Sequence, residues 1–166
     1  PSNTTASENW SSERSAELYG INTWGAGYFN LSEQGEAQVN VDFGDQQVVV
    51  SIMDIVLGMR ARGLHMPAVL RIRNLLDHRI KVLNESFALA IEQGGYQNSY
   101  RGVFPIKVNQ QCHVIEEIAD YGRRYHHGFE AGSKAELIIA LSQLRDHDSL
   151  IICNGYKDAE FIDLGL

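Results

Sequence analysis

Gly102-Val103-Phe104-Pro105-Ile106-Lys107-Val108-Asn109-Gln110 is an apolar, strand-like run that carries a single lysine toward its end. A primary amine condenses with an aldehyde only when neutral, and an exposed lysine of ordinary pKa is neutral in roughly one molecule in two thousand at pH 7. An apolar setting or a neighbouring cation raises that fraction, so Lys107 is the candidate centre of the chemistry. The competing reading is a strand that ends with its lysine snorkelling to water. The segments on either side weigh between them.

From Pro67 onward, strand-like runs alternate with helical ones. Pro67-Ala68-Val69-Leu70-Arg71-Ile72 reads as a strand. Leu76, Ile80, Leu83, Phe87 and Ile91 then line one face of an amphipathic helix that stops at Gly94-Gly95. The Lys107 strand follows, then a helix through Val114, Ile115, Ile118 and Tyr121, and a short strand near His127-Gly128-Phe129-Glu130. Ser133 with Glu136 three places on forms a capping box for a helix lined by Leu137, Leu141 and Leu144. Leu150-Ile151-Ile152-Cys153 is a buried strand, and Asp158 caps a last helix. This βαβαβαβα order predicts an α/β fold with a parallel sheet and right-handed crossovers.

Before Pro67 the character differs. Residues 1–15 are small, polar and without period, which predicts a disordered arm whose one large apolar group is Trp10. Residues 16–66 form a β-rich segment. Aromatic and glycine residues crowd from Tyr19 to Phe29, a turn follows at Glu33-Gln34-Gly35-Glu36, and Val39 and Val41 alternate with polar partners. Short antiparallel strands are expected there, too few to close a sheet without a partner segment. A short helix over Ser51–Arg62, with Ile52, Ile55, Val56 and Met59 on one face, stops at Gly63.

Composition excludes several classes of function. With 44% apolar and 21% charged residues and no long apolar run, the chain is neither a disordered nor a membrane protein by pattern. Its net charge of −7 and the lack of a basic cluster beyond Arg123-Arg124 argue against nucleic acid and for a small-molecule ligand. Cys112 and Cys153 lack CxxC spacing and read as packing residues in a reducing, cytoplasmic compartment. No metal-ligand pattern is read. His126 and His127 are adjacent, would point to opposite faces of a strand, and are left outside the mechanism.

In sheets of this kind function gathers at the carboxyl ends of the strands. Lys107 with Asn109 ends one strand, Glu130 the next, and Asn154 with Lys157 the third. Glutamate and asparagine in such places also serve simply as helix caps.

Taken in order, Pro105-Ile106-Lys107-Val108-Asn109-Gln110, Glu130-Ala131-Gly132-Ser133-Lys134-Ala135-Glu136-Leu137 and Cys153-Asn154-Gly155-Tyr156-Lys157-Asp158 resemble the biosynthetic arginine decarboxylases. The stretch through Trp24-Gly25 and Tyr28 resembles the start of the same enzymes, and the likeness runs from about Tyr19 to the last residue. Phe104 and Phe129 stand where that family is expected to have tyrosine and leucine, and both keep an apolar side chain. The resemblance implies a pyridoxal 5'-phosphate enzyme built on an alanine-racemase-like (β/α)8 barrel that converts L-arginine to agmatine and carbon dioxide. It implies that Lys107 binds the cofactor covalently, that Glu130 lies beside that bond, and that Asn109 orients the site, with Glu136 and Lys157 in its wider surroundings. Mg2+ and an assembly of at least two subunits are implied by the family only.

A full barrel takes about 250 residues, so residues 67–166 are expected to supply only its first βα units. The chain is accordingly expected to be the amino-terminal part of a longer enzyme, inactive alone, whose β-rich segment pairs with a carboxyl-terminal β domain. The phosphate loop and the groups for the pyridine nitrogen, the guanidinium and proton donation are expected beyond Leu166. Decarboxylation of ornithine, lysine or diaminopimelate, a non-catalytic paralogue that binds a partner, and a stand-alone cofactor-binding module are the alternatives.

Overall fold

Ser11 caps the first helix: its hydroxyl accepts the Arg14 amide at 3.1 Å, with Glu13 in the first turn. The structure, a computed structural model, describes residues 10–43, 46–144 and 146–166. They divide into two units, one running through Asn74 and the other Leu75–Leu166.

In the first unit α1 (Ser12–Leu18) occupies part of the expected disordered arm, which corrects that expectation for residues 12–15; residues 1–9 lie outside the described residues. The cap, the acidic first turn and the burial of Ala16 explain the helix. Trp10 secures it. Its indole N–H donates to Ser15 Oγ at 2.8 Å, and its ring lies over Gly35, where a Cβ would come within 2.6 Å. A second correction concerns the aromatic stretch, because α2 (Ile21–Trp24) is helical and the strand begins only at Phe29.

Strands β1 (Phe29–Leu31), β2 (Ala37–Phe43) and β3 (Gln46–Ser51) form an antiparallel sheet in that order. Val39, 1% exposed, pairs with Phe29 on one side and Val50 on the other. The partner that the first two strands need is thus β3, from the same segment. Ser51 ends β3 and caps α3 (Ile52–Ala61) by accepting the Asp54 amide at 3.2 Å. Ile52, Ile55, Val56 and Met59 form its more covered face, and Gly63, with φ 76°, supplies the left-handed stop.

No strand forms over residues 67–72, contrary to expectation. Val69 there is 79% exposed, and the segment has no ladder partner among the described residues, without which an apolar run is not a strand. Helix α4 (Arg73–Gly94) follows, its first two residues belonging to the first unit, and stops as expected at Gly95 (φ 63°).

The second unit then builds β4 (Val103–Pro105), α5 (Cys112–Gly122), β5 (Gly128–Ala131), α6 (Lys134–Gln143), β6 (Ile151–Cys153) and α7 (Ala159–Gly165). Its sheet is parallel in the order β4-β5-β6. The central strand is buried along its whole length. Phe129, Ile106, Ile115, Ile118, Ala140 and Ile80 form its main core, and Ala131, Leu137 and Phe161 a smaller one beneath α7. Each large side chain so buried contributes about 1.5–3 kcal/mol. Gly128 has no room for a side chain, because a Cβ would lie 1.9 Å from the Leu150 carbonyl oxygen. No described helix is long and apolar enough to cross a membrane.

Candidate active site

Three turns leave the carboxyl ends of β4, β5 and β6, and the first carries Lys107. Pro105 has no N–H to donate, which β4 tolerates at the edge of the described sheet. Beyond it Ile106–Val108 tighten into a 3-10 turn, with the Asn109 amide donating to the Ile106 carbonyl at 3.1 Å. Lys107 therefore projects from a turn just past β4 rather than from the strand itself. Ile106, 0% exposed, anchors the turn, and the Lys107 side chain is 60% exposed.

Glu130 reaches the same place from β5, opposite Pro105 and Ile152 in the register. It is 4% exposed, and its two carboxylate oxygens lie 3.4 and 3.3 Å from Lys107 Nζ. A carboxylate buried to this degree is costly unless paired, and the ammonium supplies the opposite charge. Contrary to the expectation from the sequence, this amine has an anion beside it and stands largely in water rather than in an apolar or cationic setting. A buried carboxylate next to an accessible nitrogen instead suits a nitrogen that carries positive charge, as one bonded to an aldehyde-derived carbon would.

The other expected site residues are placed differently. Asn109 is half-buried, and its side-chain oxygen accepts the Gln111 amide at 3.1 Å, which ties it to the start of α5. The Asn154 amide donates to Ala131 at 3.0 Å and prolongs the ladder past β6. Lys157 is exposed and its Nζ donates to the Gly155 carbonyl at 2.8 Å. Glu136 forms a shifted capping box: Ser133 Oγ accepts the Glu136 amide at 3.3 Å, while Glu136 Oε2 accepts the amide of Gly132 at 2.8 Å. The structure thus brings Lys107 and Glu130 together and leaves Asn109 and Lys157 in bonds of their own.

Two glycines belong to the site and were not read as such. A Cβ on Gly132 would stand 3.8 Å from Glu130 Oε1 and 3.6 Å from Glu136 Oε2, and one on Gly155 (φ 77°) would stand 3.3 Å from the Gly132 carbonyl. Both follow a strand end by one or two residues, which is the readable signal for a close backbone approach. Lys134 is a further omission. It pairs with Glu160 and, at 2.9 Å, with Asp158, joining the starts of α6 and α7. Glu160 and Asp158 raise its ammonium pKa, and Lys134 in turn holds the Asp158 carboxyl below its ordinary value.

The two histidines do not stand in β5. His126 closes a 3-10 turn with φ 52°, and its Nδ1 lies 2.8 Å from Asp146 Oδ2. That contact, with the Asp148 amide and Ser149 hydroxyl also on the carboxylate, lowers the Asp146 pKa to about 2. Ligand atoms of His126, Asp146 and Asp148 lie within 4.8 Å of one another, beside Arg123 and Arg124. A nitrogen-containing, largely hydrogen-bonded set next to two guanidiniums is a poor match to magnesium. His127 is buried, 3.5 Å from the Asn84 amide nitrogen, and burial lowers its pKa below 6.5.

Known proteins resemble this chain along most of its length. The chain is 44% identical over 159 residues to a biosynthetic arginine decarboxylase of Synechococcus sp. (strain RCC307), covering 96% of this chain and 25% of that protein. A protein of the same name from Gloeobacter violaceus is also 44% identical, with 96% and 24% covered. The crystal structure of the biosynthetic arginine decarboxylase SpeA from Campylobacter jejuni superposes with a TM-score of 0.79 at 33% identity, over 89% of this chain and 24% of that one. The chain spans about a quarter of the length of the relatives it matches. Residues 80–165 match the family described as pyridoxal-dependent decarboxylase, pyridoxal binding domain. With Lys107, Glu130 and all three parallel strands inside that match, the chain belongs to the pyridoxal-dependent decarboxylases.

Proposed function

We propose that this chain is the lysine-bearing part of an enzyme that decarboxylates L-arginine to agmatine and carbon dioxide. The observation that carries the proposal is the pairing of Lys107 with buried Glu130 at the carboxyl ends of parallel strands, within the matched pyridoxal-binding residues. The relatives named biosynthetic arginine decarboxylase support arginine over other basic amino acids. When bound, pyridoxal phosphate supplies the electron sink that accepts the bonding pair as the carboxylate leaves.

In this reading Lys107 Nζ forms the covalent bond to the cofactor. Glu130 holds positive charge at that nitrogen from a buried position, while the nitrogen itself stays open to the cofactor. Asn109 fixes the turn that carries Lys107 through its bond to the start of α5. Parallel strands β4 to β6 form the first part of a (β/α)8 barrel completed by further chain, and the antiparallel sheet of the first unit pairs with a carboxyl-terminal β domain. The working enzyme is at least a dimer in the cytoplasm, a setting that suits the free thiols of Cys112 and Cys153. Magnesium is implied by the family, finds no matching donor set among the described residues, and has no step assigned to it.

The test is substrate profiling of the intact protein loaded with pyridoxal phosphate. Agmatine and carbon dioxide are expected in equal amounts from L-arginine, with kcat/KM well above that for ornithine, lysine or diaminopimelate. A higher kcat/KM for any of these would replace arginine as the substrate, and no turnover of any would favour a non-catalytic paralogue.

A further inference from the structure

The geometry points to Glu136 as a positioning residue that sets Glu130 against Lys107. Its carboxylate does not close the capping box on Ser133, where an ordinary helix cap would place it. It accepts the amide of Gly132 at 2.8 Å instead, one residue earlier and only two residues past Glu130. The chain leaving β5 is therefore pinned where it turns away from the buried carboxylate.

Space around Gly132 shows what the pin controls. A Cβ built there would meet Glu130 Oε1 at 3.8 Å, Glu136 Oε2 at 3.6 Å and the Asn154 carbonyl at 4.0 Å. Glu130 and Glu136 thus flank the same glycine, and two like charges so placed repel unless each has its own partner. Glu130 has Lys107. Glu136 has the Gly132 amide and sits in the first turn of α6, where the helix dipole favours negative charge. If the Gly132 bond were lost, the turn after β5 would be free to shift, and Glu130 would lose its fixed distance from the amine. The required property is an acceptor oxygen at this position, so Glu136→Gln should serve and Glu136→Ala should not.

This inference deepens the proposed role of Lys107 and rests on it only for its bearing on the cofactor. The deciding measurement uses the intact protein without cofactor and the amine reagent acetic anhydride, with acetylation of Lys107 read by mass spectrometry against exposed Lys81 as internal reference. Glu136→Ala is expected to raise the Lys107-to-Lys81 ratio about threefold, as the Glu130 ion pair loosens. Glu136→Gln should stay near the wild-type ratio. Ser133→Ala removes the other half of the same cap, so it reports what loss of the helix cap alone does; it should lower the melting temperature and leave the ratio unchanged. An unchanged ratio in Glu136→Ala, or an equal rise in Ser133→Ala, would reduce Glu136 to a helix cap and overturn the inference. Borohydride trapping of pyridoxal phosphate in the same proteins judges the cofactor separately: wild-type label away from Lys107 would sink that reading while the acetylation ratios still decide the role of Glu136.

Discussion

Glu130 poses, at the scale of one residue, the question of why a carboxylate is buried beside an exposed amine. Its carboxylate is 4% exposed and faces an amine that is largely exposed, so the pair cannot be a stability device of much worth: replacing buried ion pairs by apolar groups is often neutral or better. In the proposed reading its placement serves chemistry at the nitrogen. Glu130→Gln keeps the shape and removes the charge, and kcat of the intact enzyme is expected to fall about a hundredfold or more; steady-state kinetics with L-arginine check this, and a change under twofold would refute the role. His127 makes a different claim. Burial lowers its pKa below 6.5, so between that lowered value and 6.5 the unfolded chain binds more protons than the folded one. Stability from this group is therefore complete above about pH 6.5 and is lost as pH falls through the folded pKa. Urea unfolding of the wild type should show a lower midpoint at pH 5.5 than at pH 7.5, and His127→Gln should narrow that difference. Sequence reading placed His127 on a strand face and missed its real neighbours. Asn84 lies four residues after Ile80 on the covered side of α4, and a polar residue there carries no periodic signal that it is buried.

Elements were legible where local chemistry ends them. The stops at Gly63 and Gly95 and the caps Ser133 and Asp158 can be read from residue types alone, and all appear in the structure. Strand β3 was not legible: four of its six residues are exposed, so it shows no alternation, and only pairing with β2 makes it a strand. Residues 67–72 fail in the opposite sense, being apolar enough for a strand without a ladder among the described residues. Both errors have one cause, because hydrogen-bond pairing is not local. At this scale β5 is the critical element. Gly128→Ala would drive a methyl into the Leu150 carbonyl, whose oxygen accepts the Phe129 amide at 3.0 Å, and so break the β5–β6 ladder. A loss of more than about 3 kcal/mol is expected by urea denaturation, against about 1 kcal/mol for Ser133→Ala, which removes only a cap. Similar losses for the two would contradict the central place given to β5.

For the whole molecule, the parallel order of β4, β5 and β6 followed from the alternation of strand and helix, and the family match covers all three. The candidate site was legible as two residues, Lys107 and Glu130, because both fall at strand ends; the glycines around them were not, since their meaning depends on how close two separate turns come. Everything proposed about cofactor and substrate converges on one nitrogen. The direct measurement is borohydride reduction of the intact protein with bound pyridoxal phosphate, followed by proteolysis and mass spectrometry of the labelled peptide. The pyridoxyl group is expected on Lys107, with Lys107→Ala unlabelled. A label on any other lysine of the wild type, or equal labelling of the variant, would contradict the assignment of Lys107.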